Sequence, residues 1–254
     1  MATILTIDTA SPFCSVAVAR FTPVLSIDSV VSAGKGDHFE QLPSLVAEVL
    51  HRACLKMSDV NLIGVGVGPG SFTGIRIGMS FAKGLAWAQS LPLRGFCSLA
   101  AIAYGATSEG IGGREVAVIA DAGRDELFFS RVKVGAAGRA GEPCIIPRVD
   151  LPTHLSGITE LITPQGALFE SDKVKEVLPL SVRFSLCSDA ARGGALLVHA
   201  SPGLTEGVGA SVSEELETLS SIISLEPSYL RQVAAKTIRE REAEKSESRE
   251  KNPV

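Results

Sequence analysis

Glycines at 64, 66, 68, 70, 74 and 78 surround the stretch GPGSFTGIRIG, which leaves the apolar run Val60–Gly68 and opens a helical pattern. A glycine turn between strand and helix is where backbone N–H groups cradle a phosphate, so nucleotide binding is the first chemistry to consider. A P-loop needs a second glycine followed by Lys and a hydroxyl residue. Counting from Gly68, Thr73 stands where that glycine belongs, and Ile75 follows Gly74 where the Lys is required. The dinucleotide pattern GxGxxG fails too, because its third position falls on Pro69, Ser71 or Thr73. What remains is a helix N-terminus, a weak and general attractor of anions.

The helix explains these residues better. Gly74, Gly78, Ala82 and Ala86 recur every fourth residue and line one face. Each interior glycine costs a helix about 1 kcal/mol relative to Ala. A small-residue face lets another backbone approach, either within the chain or from a second one, with Ile75, Met79 and Leu85 as apolar flanks.

The elements that position this loop follow from patterning. Three short strands are expected at Thr3–Asp8, Cys14–Arg20 and Val24–Val31, with the turn formers Thr9-Ala10-Ser11-Pro12 between the first two. Asp37 is a candidate N-cap for a helix from His38 to Cys54, where Leu42, Leu45, Val46, Val49 and Leu50 recur with helical spacing. A strand at Leu62–Val67 precedes the glycine loop, and the helix after it runs to about Gln89. A strand near Leu93–Cys97, a helix near Leu99–Ala106 and a strand at Glu115–Ala120 follow. Val116–Ala120 and Leu127–Val134 flank the turn DAGRDE and read as a hairpin. Hairpins followed by alternating strands and helices predict an open mixed α/β sheet. GIGG at Gly110–Gly113 is the expected hinge, giving an N-terminal α/β domain at 1–110 and a smaller one at 111–232. Residues 233–254 form a charged tail read as disordered. No repeat at a fixed period is visible.

Composition narrows the function classes. The 254 residues are 45% apolar and 5% aromatic with net charge −4, the profile of an ordinary globular α/β protein. An acidic chain lacks the basic face of a protein that binds nucleic acid unaided, so any such role leans on a partner. No apolar run reaches the roughly eighteen residues of a membrane span, and the start MATILTIDTASPF has no basic, long-apolar leader pattern; a cytoplasmic protein is expected. The five cysteines are scattered, without CxxC, and read as buried thiols in a reducing compartment.

The stretches ILTIDTASPFCSVAVA, GDHFEQLPSLVAEVL, VGVGPGSFTGIRIGMSFAKGLA, DAGRDELFF and EPSYLR occur in an order that resembles the TsaB (YeaZ) family of bacterial tRNA threonylcarbamoyladenosine biosynthesis proteins. The resemblance is good from residue 3 to about 130, patchy to 225, and returns at Glu226–Arg231. It implies the actin/Hsp70/sugar-kinase-like (ASKHA) fold, with two related mixed-sheet halves, the second reduced. It also implies a subunit that pairs with the catalytic paralogue TsaD. TsaD moves a threonylcarbamoyl group from its adenylate onto the tRNA adenosine beside the anticodon, and the ATPase TsaE joins the assembly. The family's docking helices fall on the two described above, so the resemblance makes Leu42, Leu45, Val46, Val49, Ile75, Gly78, Met79 and Ala82 the partner interface. The same face would pair two copies into a homodimer when the chain is alone.

Departures from active relatives bear on chemistry. The catalytic paralogue holds a metal with HxxxH, whereas His38 is followed four residues later by Leu42; one imidazole is not a metal site, so none is expected. Kinases of the fold use a DxGT turn at phosphate. Here Asp8, Thr9 and Ser11 would be the nucleotide-binding residues, but Ala10 replaces the glycine that permits close approach. Gly193–Gly194 in ARGGALLVHA is similar to an adenosine-binding turn, though a simple turn or helix break explains two glycines as well. DAGRDELFF departs from the family's DARxxEVY at Gly123 and Phe128. Asp121, Arg124 and Glu126 then read as a charged hairpin at the domain junction.

The leading expectation is therefore a non-catalytic partner subunit with no cofactor of its own, ATP or ADP at the partner interface being the alternative, and with tRNA contacted only through the complex. A sugar-kinase-type phosphotransferase, with Asp121 cast as its catalytic Asp, is the second reading. A metallopeptidase is the third, opposed by the missing second histidine.

Overall fold

Strand β1 (Thr3–Asp8) is buried at all six positions, because layers cover both faces of the sheet it centres. On one side it pairs antiparallel with β2 (Ser15–Phe21), which pairs with β3 (Leu25–Val31). On the other it runs parallel to β4 (Leu62–Gly66), which continues to β5 (Leu93–Phe96). The computed structural model describes residues 2–21, 25–32, 38–106, 114–135, 141–170, 182–200 and 220–230. Helices α1 (His38–Arg52) and α2 (Phe72–Gln89) cover one face of this sheet, and α3 (Ser98–Ala106) follows β5.

A second five-stranded sheet is built from β6 (Glu115–Gly123), β7 (Glu126–Lys133), β8 (Cys144–Pro147), β9 (Glu160–Thr163) and β10 (Arg183–Leu186). The first sheet is ordered β3-β2-β1-β4-β5 and the second β8-β7-β6-β9-β10, the same path walked twice. Among the described residues the second half carries the helices α4 (Leu151–His154) and α5 (Gly166–Glu170), before α6 (Ala190–Ala200). Two mixed-sheet α/β halves of one topology make the actin/Hsp70/sugar-kinase arrangement.

The two inner helices are exchanged. α6, which follows the second sheet, lies on β1 and β2 of the first, while α3 lies on β6 and β7 of the second. Thr6 Oγ1 donates to the Ala191 carbonyl at 2.7 Å, and Ala191 N–H donates to Ser15 Oγ at 3.1 Å, pinning α6 to the first sheet. Between the sheets, α3 and α6 pack with Ile4, Leu62, Phe96, Val116, Val118 and Ile162 into one core. A second core fills the space under α1 and α2, and a third lies on the outer face of the second sheet around Ile119, Leu127 and Leu151.

Leu42, Leu45, Val46, Val49, Ile75, Gly78, Met79 and Ala82, expected as a partner surface, are instead all buried in the chain's own core against the first sheet. The apolar stripe of a surface helix faces the layer it covers, so the same periodicity that finds a docking helix finds its inner side. Gly193 and Gly194 are neither a turn nor a helix break; they lie inside α6. A Cβ on Gly193 would stand 1.9 Å from the Ala101 carbonyl oxygen of α3, and one on Gly194 would stand 2.4 Å from the Phe96 ring. Cys54 and Cys144 are exposed, contrary to the expectation of buried thiols, whereas Cys14 and Cys187 are buried. The expected hinge Gly110–Gly113, the Asp37 cap and the tail at 233–254 lie outside the described residues, as does the side chain of His38.

Candidate functional site

The glycine loop and the β1–β2 turn are pressed together. Ser71 N–H donates to the Ala10 carbonyl at 2.7 Å, and Thr9 Oγ1 donates to the Gly74 carbonyl at 2.7 Å. A Cβ on Gly66 would lie 1.9 Å from Asp8 Oδ2, on Gly70 2.2 Å from the Ala10 carbonyl, on Gly74 2.0 Å from the Thr9 carbonyl, and on Gly78 2.2 Å from Thr9 Oγ1. Only glycine permits that approach. The glycines receive the chain's own turn, and Ser71 caps α2 by accepting from Gly74 N–H at 3.1 Å.

The three residues expected to bind nucleotide are brought together in that turn and are buried. Asp8 Oδ1 accepts from Ala10 N–H at 3.0 Å, and Oδ2 accepts the Ser98 hydroxyl at 2.5 Å. Ser98 in turn meets Gly68 twice: its hydroxyl accepts from Gly68 N–H at 3.3 Å, and its own N–H donates to the Gly68 carbonyl at 2.8 Å. Ser11 exchanges hydrogen bonds with the backbone of Phe13. Burial pushes the Asp8 carboxyl up to about 6, opposed by the Ser98 and backbone hydrogen bonds. Burial first, and the Asp8 charge second, push the Cys14 thiol up to about 12. The cluster fastens β1, the glycine loop and the start of α3 to one another. Ser98 is a partner of Asp8 that sequence reading missed, since it lies 90 positions away with no motif around it.

The second hairpin is tied within its own half. Asp121 meets Arg148 at 3.4 Å, accepts from Gly123 N–H at 3.0 Å, and donates its own N–H to Gln165 at 2.6 Å. Arg124 and Asp125 both have φ of 58° and make the tight turn, and Arg148 N–H donates to the Asp125 carbonyl at 2.8 Å. Glu126 opens the returning strand. These partners, Arg148 and Gln165, belong to the second sheet's surroundings, so these contacts brace the hairpin within that half.

The outer side of the α1–α2 layer is different in character. Trp87 is 60% exposed and Phe72 39%. Gly84 sits well inside α2, exposed, and a Cβ there would meet nothing within 4 Å. Arg76 stacks on Phe72 and donates through Nε to Tyr229 Oη at 2.9 Å. Tyr229 arrives from the EPSYLR stretch, held by Ser228 N–H donating to the Val67 carbonyl at 2.8 Å. Among the described residues no group of three or more His, Cys, Asp or Glu side chains is placed to hold a metal, and no helix is long and apolar enough to cross a membrane.

A pair of sheets of one strand order, with a helical layer over the first, is the actin-like class of fold. The chain belongs to the TsaD family, whose model, described as tRNA N6-adenosine threonylcarbamoyltransferase, matches residues 32–234. Within that family it is similar to proteins named TsaB or YeaZ. The Escherichia coli tRNA threonylcarbamoyladenosine biosynthesis protein TsaB is 35% identical over 131 residues, which are 50% of this chain and 53% of that protein. An uncharacterized Mycobacterium tuberculosis protein is 35% identical over 134 residues, 52% of this chain and 59% of its own length. The chain thus spans little more than half the length of these curated relatives. Among solved structures, YeaZ from Pseudomonas aeruginosa superposes with a TM-score of 0.65 at 26% identity, over 91% of this chain and 100% of that one. A second structure, of an uncharacterized protein with similarity to the peptidase YEAZ from Pseudomonas aeruginosa, gives 0.70 at 26% identity with the same coverage.

Proposed function

We propose that this chain is a partner subunit in TsaD-dependent transfer of a threonylcarbamoyl group to the tRNA adenosine beside the anticodon, and that it leaves the transfer itself to TsaD. The names of its relatives point to this pathway. The observation that carries the partner role is the outer face of α2: a helix-interior glycine with open space above it beside a largely exposed tryptophan. Gly84 costs α2 about 1 kcal/mol and nothing in the described chain needs it small. A second helix laid across it would, and Trp87 is the kind of side chain that anchors such a contact. The docking surface is therefore the outward side of α1 and α2, with the eight apolar residues supporting it from beneath.

The turn at Asp8, Thr9 and Ser11 is filled by the chain's own hydrogen bonds, which speaks against an independent phosphotransferase. The chain carries no cofactor of its own in this reading, ATP or ADP at the contact with TsaD being the alternative; TsaE enters through the complex, and tRNA is held by the partner. In isolation, two copies pair through the same face. The setting is the cytoplasm.

Pull-down with the cognate TsaD, followed by a tRNA modification assay with and without this chain, tests the reading. Association is expected, with strong dependence of turnover on this chain. Gly84→Arg should stay folded and lose association. Full turnover by TsaD without this chain would overturn the proposal.

A further inference from the structure

Arg76 is a surface arginine that is already immobilised. Its guanidinium carbon lies 3.9 Å above the centre of the Phe72 ring, one helical turn back, and 5.8 Å from that of Tyr229. The two rings stand 5.0 Å apart, and Nε donates to Tyr229 Oη at 2.9 Å. An exposed arginine ordinarily samples many rotamers, and ordering it is part of what binding costs. Here that ordering is done within the chain.

What the stack leaves unused is the outer fork. Among the described residues no acidic side chain pairs with Arg76, and none accepts from Nη1 or Nη2. Two parallel N–H donors in a fixed plane match a carboxylate or a phosphate edge to edge. The surroundings choose between them. A nucleic-acid backbone is followed by several cations in a row, whereas α2 offers only Lys83 besides Arg76, and on neighbouring α1 Arg52 is paired with Glu48 while Glu40 is exposed. A guanidinium held between two partly exposed aromatic rings on an acidic chain suits one carboxylate on a protein surface.

We propose that Arg76 is the anchor for a carboxylate side chain of the protein that docks on α2, and that Tyr229 is the residue that positions it. This rests on the docking reading above, and it explains why the EPSYLR segment returns to α2, since that segment carries the clamp that aims the guanidinium.

Affinity of the full chain for the cognate TsaD is measured at low and high salt by titration calorimetry, with a melting curve for each variant. Arg76→Gln and Arg76→Lys should both weaken binding about tenfold or more, since Lys keeps the charge but not the fork. Arg76→Gln should also flatten the salt dependence, and melting should be unchanged in both. Tyr229→Phe keeps the ring but not the hydroxyl, and a smaller loss, about threefold, is expected. If Arg76→Gln melts early, Arg76→Lys decides alone. Variants that bind like the parent, while Gly84→Arg does not bind, would sink the anchor and leave the docking face standing. No binding by the parent chain would remove both. Unchanged protein affinity with lost tRNA retention by the assembled complex would reassign Arg76 to RNA and overturn the proposal.

Discussion

Gly193 in α6 and Ala101 in α3 approach so closely that a Cβ on the glycine would stand 1.9 Å from the alanine's carbonyl oxygen. Helix propensity alone makes Gly→Ala favourable by about 1 kcal/mol. Sterics reverse the sign here, because the obstacle is backbone and cannot rotate aside. Gly193→Ala should destabilise the protein by about 1 to 3 kcal/mol, whereas Gly84→Ala, with open space, should stabilise by up to about 1 kcal/mol. Urea unfolding of the two variants side by side checks the pair; equal signs would contradict the packing described.

Asp8 gives the fold an uncommon pH response. Its carboxyl titrates at about 6 in the folded chain against 3.8 for the ordinary value, so between those limits the native state holds a proton that the unfolded chain has released. Stability contributed by this group is therefore full at low pH, falls as pH rises through that window, and is level above it. The loss amounts to about 3 kcal/mol at most. Asp8→Asn, which cannot ionise, should flatten the slope and gain stability at neutral pH. Chemical denaturation from pH 4 to 7.5 on both proteins reads it; identical slopes would show that the buried carboxyl is not the cause.

Leu42 and Trp87 should separate stability from association. Leu42 has no exposed surface, so Leu42→Ala should cost about 2 to 5 kcal/mol of folding stability. Trp87→Ala removes a side chain that is 60% exposed, and stability should move by about 0.5 kcal/mol at most. Association with TsaD should show the opposite order once both proteins are held in folding conditions. Melting curves and pull-down together decide it, and a Trp87 variant that binds normally would argue for a different face.

The first half is largely legible in the sequence because its elements are long or strongly patterned. α2 ends at Gln89 as the periodicity predicts, and the strands fall within a residue or so of their expected limits. The glycine loop is also readable as a packing device, since each nucleotide pattern breaks at a named residue. The side of the helices that faces outward is not readable. A core stripe and a docking stripe obey the same spacing, and only burial tells Leu42 and Met79 from Trp87. Gly193 misleads for a related reason: propensity treats paired glycines as a break, while the tertiary need for close helix approach overrides it. The twofold reuse of one topology leaves no repeat in the sequence, because cores demand volume and pattern more than identity. Pairs such as Asp8 with Ser98, or Arg76 with Tyr229, join residues whose separation carries no local signal.

The exchange of α3 and α6 has a bearing on birth at the ribosome. The strands of the first sheet are all made by Phe96, yet the helix that roofs their inner face ends only at Ala200. At elongation speeds of about 5 to 20 residues per second, that gap of roughly a hundred residues lasts on the order of 5 to 20 s. Throughout it, an apolar sheet surface waits uncovered on the nascent chain, a standing invitation to chaperones that the topology itself writes in.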